Sequence, residues 1–413
     1  MLGRLLLLVS LLLPLPAMAQ TVKGDWNGTL TTPAGGKLRI LFQFRETPAG
    51  LQVTPVNVDL RGETFPAGIA TLSGKTLTIA LPALNGSYQG TLSDDGRAIS
   101  GSWTQGGRSL PLDLAPGTIT AAVLHQPEPG DLTIATPTGT LAGTILEAGD
   151  GKLAAVIITG AGPANRDGNS PINGGRGTYR DIAEGLAAQG VTTLRFDKRG
   201  IGQSAAAMRQ ESDLRIQIYG DDVRAWAAEL KKRANAPCVW LIGHSEGALI
   251  AELAAGGNRD ICGIVTLAGV GRGMDIGWRE AMSRALPPDQ QQRVGEALDA
   301  IKAGRMVADL PPVMMGALRP SIQPYITSVF AQDPAALLRG LKVPVLILQG
   351  DADTNVTVAD AKALAGARPD ATLKIMPNVN HSLRIAKDDP GTGPGPLAPG
   401  ITETIAAFMK AHR

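Results

Sequence analysis

Residues 239–250 constrain the fold of this chain more than any other stretch. An apolar run, Val239 to Ile242, meets Gly243-His244-Ser245-Glu246-Gly247 and passes without a spacer into an Ala- and Leu-rich run that ends at Gly256-Gly257. The order is strand, sharp turn, helix. A G-x-S-x-G pattern on such a junction holds one serine on a strained turn at the top of a sheet, its hydroxyl exposed and its N–H near a helix N-terminus. Five residues with three fixed positions arise often by chance, as in a Gly-rich connector of some other parallel sheet. The position where a strand meets a helix gives the pattern its weight, and Ser245 is read as a nucleophile.

The strand at Val239 belongs to a series. Apolar runs at Leu153 to Ile158, Val191 to Phe196, Ile264 to Leu267, Val343 to Leu348 and Thr372 to Met376 alternate with helical patterns. Those patterns cover Tyr179 to Gln189, Leu214 to Arg233, Glu246 to Ala255, Val358 to Ala367 and Ile401 to His412. Continuously apolar strands interleaved with helices predict an α/β fold: a mostly parallel sheet covered on both faces, with active groups at the carboxyl ends of the strands. Two antiparallel strands, about Leu132 to Ala135 and Gly139 to Glu147, lead into it. The rhythm breaks between Val270 and about Leu341, where helical pieces punctuated by Pro287-Pro288, Pro311-Pro312 and Pro320 predict a helical cap. Met306, Met314 and Met315 are candidates for an acyl pocket and equally for core fill.

At 413 residues the chain exceeds one ordinary domain. Residues 24–116 read as short alternating strands separated by Gly, Pro, Asn and Asp, an all-β unit, with Ser93-Asp94-Asp95-Gly96 a hairpin signal. Trp26 and Trp103 each follow a G-x step and are expected to pack its core, a carbohydrate platform being the sharper alternative. Residues 1–19 carry Arg4, the apolar run Leu5 to Leu13 and Ala17-Met18-Ala19, a secretory signal cleaved before Gln20 and too short to span a bilayer comfortably. The expected organisation is a signal peptide (1–19), an all-β domain (20–118), a linker (119–131) and an α/β domain (132–413) with its helical cap at about 271–341. The expected location is periplasmic or extracellular, with no stable membrane anchor after cleavage. Net charge +2 and dispersed Lys and Arg argue against nucleic acid as partner. Cys238 and Cys262 open two strands flanking the elbow; if these are neighbours a disulfide is within reach, and two buried thiols fit equally. No Cys/His cluster suggests a metal, and no cofactor is expected.

A serine hydroxyl needs a base to take its proton, and a carboxylate to hold that base. Four histidines are available. His125 falls in the linker, His412 beside the C-terminus, and His244 adjoins Ser245 on a turn where neighbouring side chains diverge. His381, in the loop Asn378-Val379-Asn380-His381 after the last strand, remains. The acid is expected between Ser and His in chain order, in Gln349-Gly350-Asp351-Ala352-Asp353. Asp353 is favoured because the loop there can turn back toward His381, while Asp351 would hold a neighbouring N–H. For the oxyanion, the backbone N–H of Glu246 and one from Thr159-Gly160-Ala161-Gly162-Pro163 are expected, Ala161 ahead of Gly162, with Pro163 excluded. That loop lacks the Walker lysine pattern and a G-x-G-x-x-G fingerprint, which discounts nucleotides.

The succession Gly160-Ala161-Gly162-Pro163, Arg166-Asp167-Gly168-Asn169, Arg195-Phe196-Asp197-Lys198-Arg199-Gly200, Gly243-His244-Ser245-Glu246-Gly247, Gly350-Asp351-Ala352-Asp353 and Asn380-His381 resembles the α/β-hydrolase superfamily. More narrowly it is similar to secreted bacterial esterases of the serine aminopeptidase-like branch, members of which tend to carry an N-terminal β domain. The likeness covers about Leu132 to the C-terminus. It implies Ser245, Asp353 and His381 as a triad. It departs from the superfamily in having Thr159-Gly160 where a His-Gly dipeptide stands before the oxyanion loop.

The resulting expectation is a serine hydrolase acting on a small-molecule carboxylic ester through an acyl-enzyme. A peptidase is the runner-up, and a binding protein on a hydrolase scaffold the rival of another class. Asp197, Lys198 and Arg199 are read as a network fixing loop positions, and Arg166 and Asp167 either as that or as substrate contacts. The Glu246 side chain has two readings, an attractor of a cationic substrate group or a favourable charge at the helix N-terminus.

Overall fold

The structure is a computed structural model that describes residues 22–31, 37–48, 50–57, 63–64, 67–81, 86–105, 108–117, 128–150, 152–170, 174–175, 177–310, 314–389 and 395–412. The expected signal peptide, residues 119–127 of the expected linker with His125, and Pro311-Pro312 lie outside the described residues.

Ten short strands come first: β1 (Gly24–Thr31), β2 (Lys37–Thr47), β3 (Gly50–Asn57), β4 (Glu63–Thr64), β5 (Gly68–Ser73), β6 (Thr76–Leu81), β7 (Gly86–Leu92), β8 (Ile99–Gln105), β9 (Arg108–Pro111) and β10 (Leu114–Pro116). Their antiparallel sheet runs β10-β1-β2-β3-β5-β6-β7-β8-β9, with β4 on β3. Because β10 also pairs with β8, through Leu114 and Ile99, the sheet closes on itself like a barrel. Period-two alternation explains the closure: β6 and β7 send every second residue inward, where Leu77, Ile79, Tyr88 and Leu92 are fully buried. Trp26 and Trp103 are 3% and 5% exposed and pack into this core, which rules out the platform role.

Ten further strands follow: β11 (Asp131–Thr136), β12 (Gly139–Leu146), β13 (Ala154–Ile158), β14 (Asn169–Ser170), β15 (Gly174–Gly175), β16 (Thr192–Phe196), β17 (Val239–His244), β18 (Ile261–Leu267), β19 (Val345–Gly350) and β20 (Thr372–Met376). Apart from the small β14–β15 pair, they form one sheet in the order β11-β12-β16-β13-β17-β18-β19-β20. β12 runs antiparallel to both its neighbours, and every other pairing is parallel. The helices are α1 (Thr178–Ala187), α2 (Ile216–Ala234), α3 (Glu246–Ala255), α4 (Met274–Ala285), α5 (Pro288–Lys302), α6 (Met315–Leu318), α7 (Gln323–Phe330), α8 (Pro334–Gly340), α9 (Val358–Ala367) and α10 (Ile401–Ala411). Two apolar clusters flank the sheet, one against α2 and α3 and the other against α1 and α10. β20 corrects the expectation of a buried strand: it is the sheet edge, and three of its five residues are exposed.

Helices α4 to α8 fill the interval between β18 and β19, with Trp278 set edge-on to Phe330 at 5.7 Å. The α8 helix, not foreseen from the sequence, starts at an N-cap in which Asp333 accepts from the Ala336 N–H and Pro334 takes the first helical position. Cys238 and Cys262, brought together because β17 and β18 are neighbours, form a disulfide with Cα atoms 5.3 Å apart.

Candidate active site

The sheet register sets the site. β13 and β17 pair in parallel with Ile158 opposite Gly243, so the loop after β13 and the elbow after β17 emerge side by side. Ser245 takes φ 55° and ψ −123°, a backbone that costs a non-glycine residue of order 1–3 kcal/mol. The turn is held by its own N–H, which donates to the Leu267 carbonyl of β18 at 2.9 Å. The flanking glycines are steric requirements. A Cβ on Gly243 would lie 2.3 Å from the Gly247 carbonyl oxygen, and one on Gly247 would lie 2.4 Å from the Ile158 carbonyl oxygen.

The loops after β19 and β20 bring the other two residues together. His381 Nδ1 donates to Asp353 Oδ2 at 2.8 Å. The second oxygen of Asp353 accepts the N–H groups of Asn355 and Val356 at 2.8 and 3.0 Å. Burial raises the Asp353 pKa, but the His381 contact and these two N–H groups outweigh it and leave the carboxyl below its ordinary value. Asp351 is exposed and accepts the Asn378 N–H at 2.6 Å, so it holds the loop. The engaged Nδ1 leaves Nε2 as the open edge of the His381 ring, in a cavity of about 450 Å³ that Ser245 also lines.

His244 has a positioning part. Its Nε2 donates to the His381 carbonyl at 2.8 Å, so its Nδ1 accepts from the Tyr179 hydroxyl at 3.0 Å, which in turn accepts the Gly160 N–H at 2.9 Å. One neutral imidazole thus ties α1, the loop after β13 and the His381 loop together. Burial lowers its pKa to about 3, His381 adding in the same direction against the opposing main-chain hydrogen bond. This pKa lies below the unfolded value, so the unfolded chain takes up a proton that the folded one does not. The associated stability is present above about pH 6.5 and is lost as pH falls, by up to about 1.4 kcal/mol per unit. The unfolding free energy from urea titrations should therefore drop between pH 7 and pH 5 by roughly 2 kcal/mol more for the wild type than for His244→Asn; equal losses would contradict this assignment.

The loop after β13 places Ala161 on the cavity and exposes it. The Gly160 N–H is already taken by Tyr179, and among the described residues no group accepts the Ala161 N–H. The N–H of Glu246, first in α3, has no partner within the helix. Ala161 thus lines the cavity that Ser245 also lines, and Glu246 follows Ser245 at the start of α3. The Glu246 side chain corrects the substrate-facing reading. It is 2% exposed, accepts the Tyr325 hydroxyl at 2.7 Å and faces Lys198 Nζ at 3.8 Å, so it holds an internal network. Arg166 and Asp167 are equally buried. Arg166 pairs with Asp197 at 2.7 Å and Asp167 with Arg195 at 2.6 Å, which excludes them as substrate contacts; Arg199 pairs with Asp222.

One wall of the cavity comes from α4 and the segment reaching α6. Met274, Trp278, Ala281 and Met282 lie on one face of α4, three or four residues apart, with Met314 and Ala317 beside them. Of the three methionines considered from the sequence, Met314 lines the cavity, Met306 is 60% exposed and away from it, and the Met315 side chain lies outside the described residues. Asp360 also lines the cavity, and Arg272 engages both its oxygens, at 3.2 and 3.0 Å. Among the described residues no cluster of three or more His, Cys, Asp or Glu is placed to hold a metal ion.

The model of the alpha/beta hydrolase family matches residues 168–391, more than half of the chain, and the chain belongs to that family. It is 26% identical over 239 residues to esterase EstD of Thermotoga maritima, a match covering 56% of this chain and 54% of that protein; the chain thus spans about half the length of this curated relative. Among solved structures it is similar to Est1E from Butyrivibrio proteoclasticus (19% identity, TM-score 0.48, 68% of this chain and 98% of that one). It is similar also to proline iminopeptidase of Mycobacterium smegmatis (13%, TM-score 0.47, 68% and 98%).

Proposed function

We propose that this protein is a serine hydrolase that cleaves carboxylic esters with an apolar acyl group through an acyl-enzyme, and that it works after export. The observation that carries the reading is the bond from His381 Nδ1 to Asp353, which leaves the other ring nitrogen open to the cavity that also holds Ser245 on its strained turn.

In this scheme Ser245 Oγ attacks the ester carbonyl while His381 Nε2 takes its proton. Asp353 holds the ring in the tautomer that can do so and stabilises the imidazolium. The Ala161 and Glu246 N–H groups receive the oxyanion. His381 then protonates the departing alkoxide, and a water activated in the same way releases the acid. The apolar wall of Met274, Trp278 and Met282 suits an uncharged acyl chain. Asp360, the one carboxylate on the cavity among the described residues, is engaged by Arg272, so no free acid is on hand for the α-amine of an aminoacyl substrate. The likeness to a protein named as an esterase supports ester over amide. Export is supported by the charge and hydropathy pattern of residues 1–19 and by the Cys238–Cys262 bond, which persists in oxidising compartments.

The test pairs a fluorophosphonate probe with a panel of short and long acyl esters and aminoacyl amides, using Ser245→Ala as control. Labelling confined to Ser245 and hydrolysis of the esters are expected. Absence of labelling would remove the hydrolase reading, and preference for the amides would replace the ester by a peptide.

A further inference from the structure

Lys198 is buried completely, in the loop after β16, and the triad chemistry does not use it. Removing an ammonium from water is costly unless strong partners replace the solvent. Its shortest contact is not with its counter-ion. Nζ donates to the Gly160 carbonyl at 2.5 Å, while the Glu246 carboxylate lies at 3.8 Å and the Tyr219 ring centroid at 5.3 Å.

The carbonyl of Gly160 and the N–H of Ala161 belong to one peptide unit. The described chain has no cis peptide bond, so the two groups point in opposite directions from one plane. A group that holds the carbonyl therefore aims the N–H. The Gly160 N–H, on the preceding peptide, is held by Tyr179 at 2.9 Å. Gly160 is itself wedged against the elbow, since a Cβ there would lie 3.2 Å from Ser245 Cβ. Beyond it the loop has little to keep it in place: Ala161 and Gly162 are exposed, and Gly162 has a positive φ and open space around it. A peptide next to glycine in such a loop rotates readily unless something fixes it.

We infer that Lys198 is a positioning residue for the oxyanion hole: by holding the Gly160 carbonyl it fixes the direction of the Ala161 N–H toward the space beside Ser245. The inference rests on the hydrolase reading above. Glu246 completes the device, because the residue whose N–H is the other donor also supplies the carboxylate facing Lys198, and Tyr325 of α7 donates to that carboxylate. The two donors are thus joined behind the site by one buried chain: Gly160 carbonyl, Lys198, Glu246, Tyr325. The helical insertion between β18 and β19 reaches the oxyanion hole through that tyrosine.

Lys198→Met alone leaves Glu246 buried without its cation, so the double variant Lys198→Met/Glu246→Gln, which removes both charges and keeps both shapes, is the deciding protein. Four constants are measured on a neutral ester and its analogues: kcat, KM, and the dissociation constants of a trifluoromethyl ketone, whose adduct places an oxyanion in the hole, and of the matching long-chain alcohol, which fills only the apolar wall. The folded double variant is expected to lose kcat by roughly ten- to a hundredfold, with KM within about threefold of wild type. Trifluoromethyl ketone affinity should fall in parallel, with alcohol affinity unchanged. An unchanged kcat, or equal losses of ketone and alcohol affinity with a fallen melting temperature, would overturn the inference by making Lys198 merely structural. Failure of the wild type to label with fluorophosphonate would instead strike the hydrolase reading, so the two failures are distinguishable.

Discussion

Ser245→Ala and His381→Ala are each expected to lower kcat for ester hydrolysis about a millionfold, and the double variant to lower it no further. The lack of additivity is the informative part. In the proposed mechanism Ser245 Oγ is a competent nucleophile only while His381 accepts its proton, so removing either ends the same step. What survives is the contribution of binding and of the two N–H donors, expected to leave the rate roughly a thousandfold or more above the uncatalysed reaction. Steady-state rates on a purified ester, with each variant checked by its thermal midpoint, decide it. A double variant far slower than either single one would show that the two residues act in separate steps.

Asp353→Asn is the second large effect, about ten-thousandfold in kcat, and it works through a proton in the wrong place. Asp353 Oδ1 accepts two backbone N–H groups, so the oxygen of an Asn side chain is required there, and its NH₂ then faces His381 Nδ1. That nitrogen becomes an acceptor, Nε2 carries the proton, and the ring has no lone pair to offer Ser245. The fold should persist, because the loop contacts of Oδ1 survive. Asp351→Asn, two residues away, should leave kcat within about twofold, since Asp351 is exposed and only its acceptor for the Asn378 N–H matters. Comparable losses at 351 and 353 would undo the assignment.

The parts of this protein that were legible in its sequence are those with a local physical signature. The elbow shows because strand, two obligatory glycines and helix are contiguous, and His381 shows because so few histidines compete for its place. Asp353 required an argument about where a loop can reach, which the sheet order then met. The misreadings share another cause. Glu246 has a substrate-facing reading beside one at the helix N-terminus, and only the packing of α7 and of the loop after β16 reveals Tyr325 and Lys198 around it. β20 carries apolar residues suited to a buried strand, yet its place at the edge follows from the order of the whole sheet. The part of Lys198 has no sequence signature, because the group it holds is a main-chain carbonyl 38 residues earlier.

The bond between Cys238 and Cys262 makes a covalent ring of the segment that contains β17, the elbow and α3. Ser245 belongs to that ring however far the rest of the molecule opens. In the chain-entropy account, closing a loop of this length destabilises the unfolded state by about 3.5 kcal/mol. The strained turn at Ser245 is thus spanned by a bond at the opposite end of the sheet, and a reducing environment would make the fold around the serine easier to unfold without touching Ser245, Asp353 or His381.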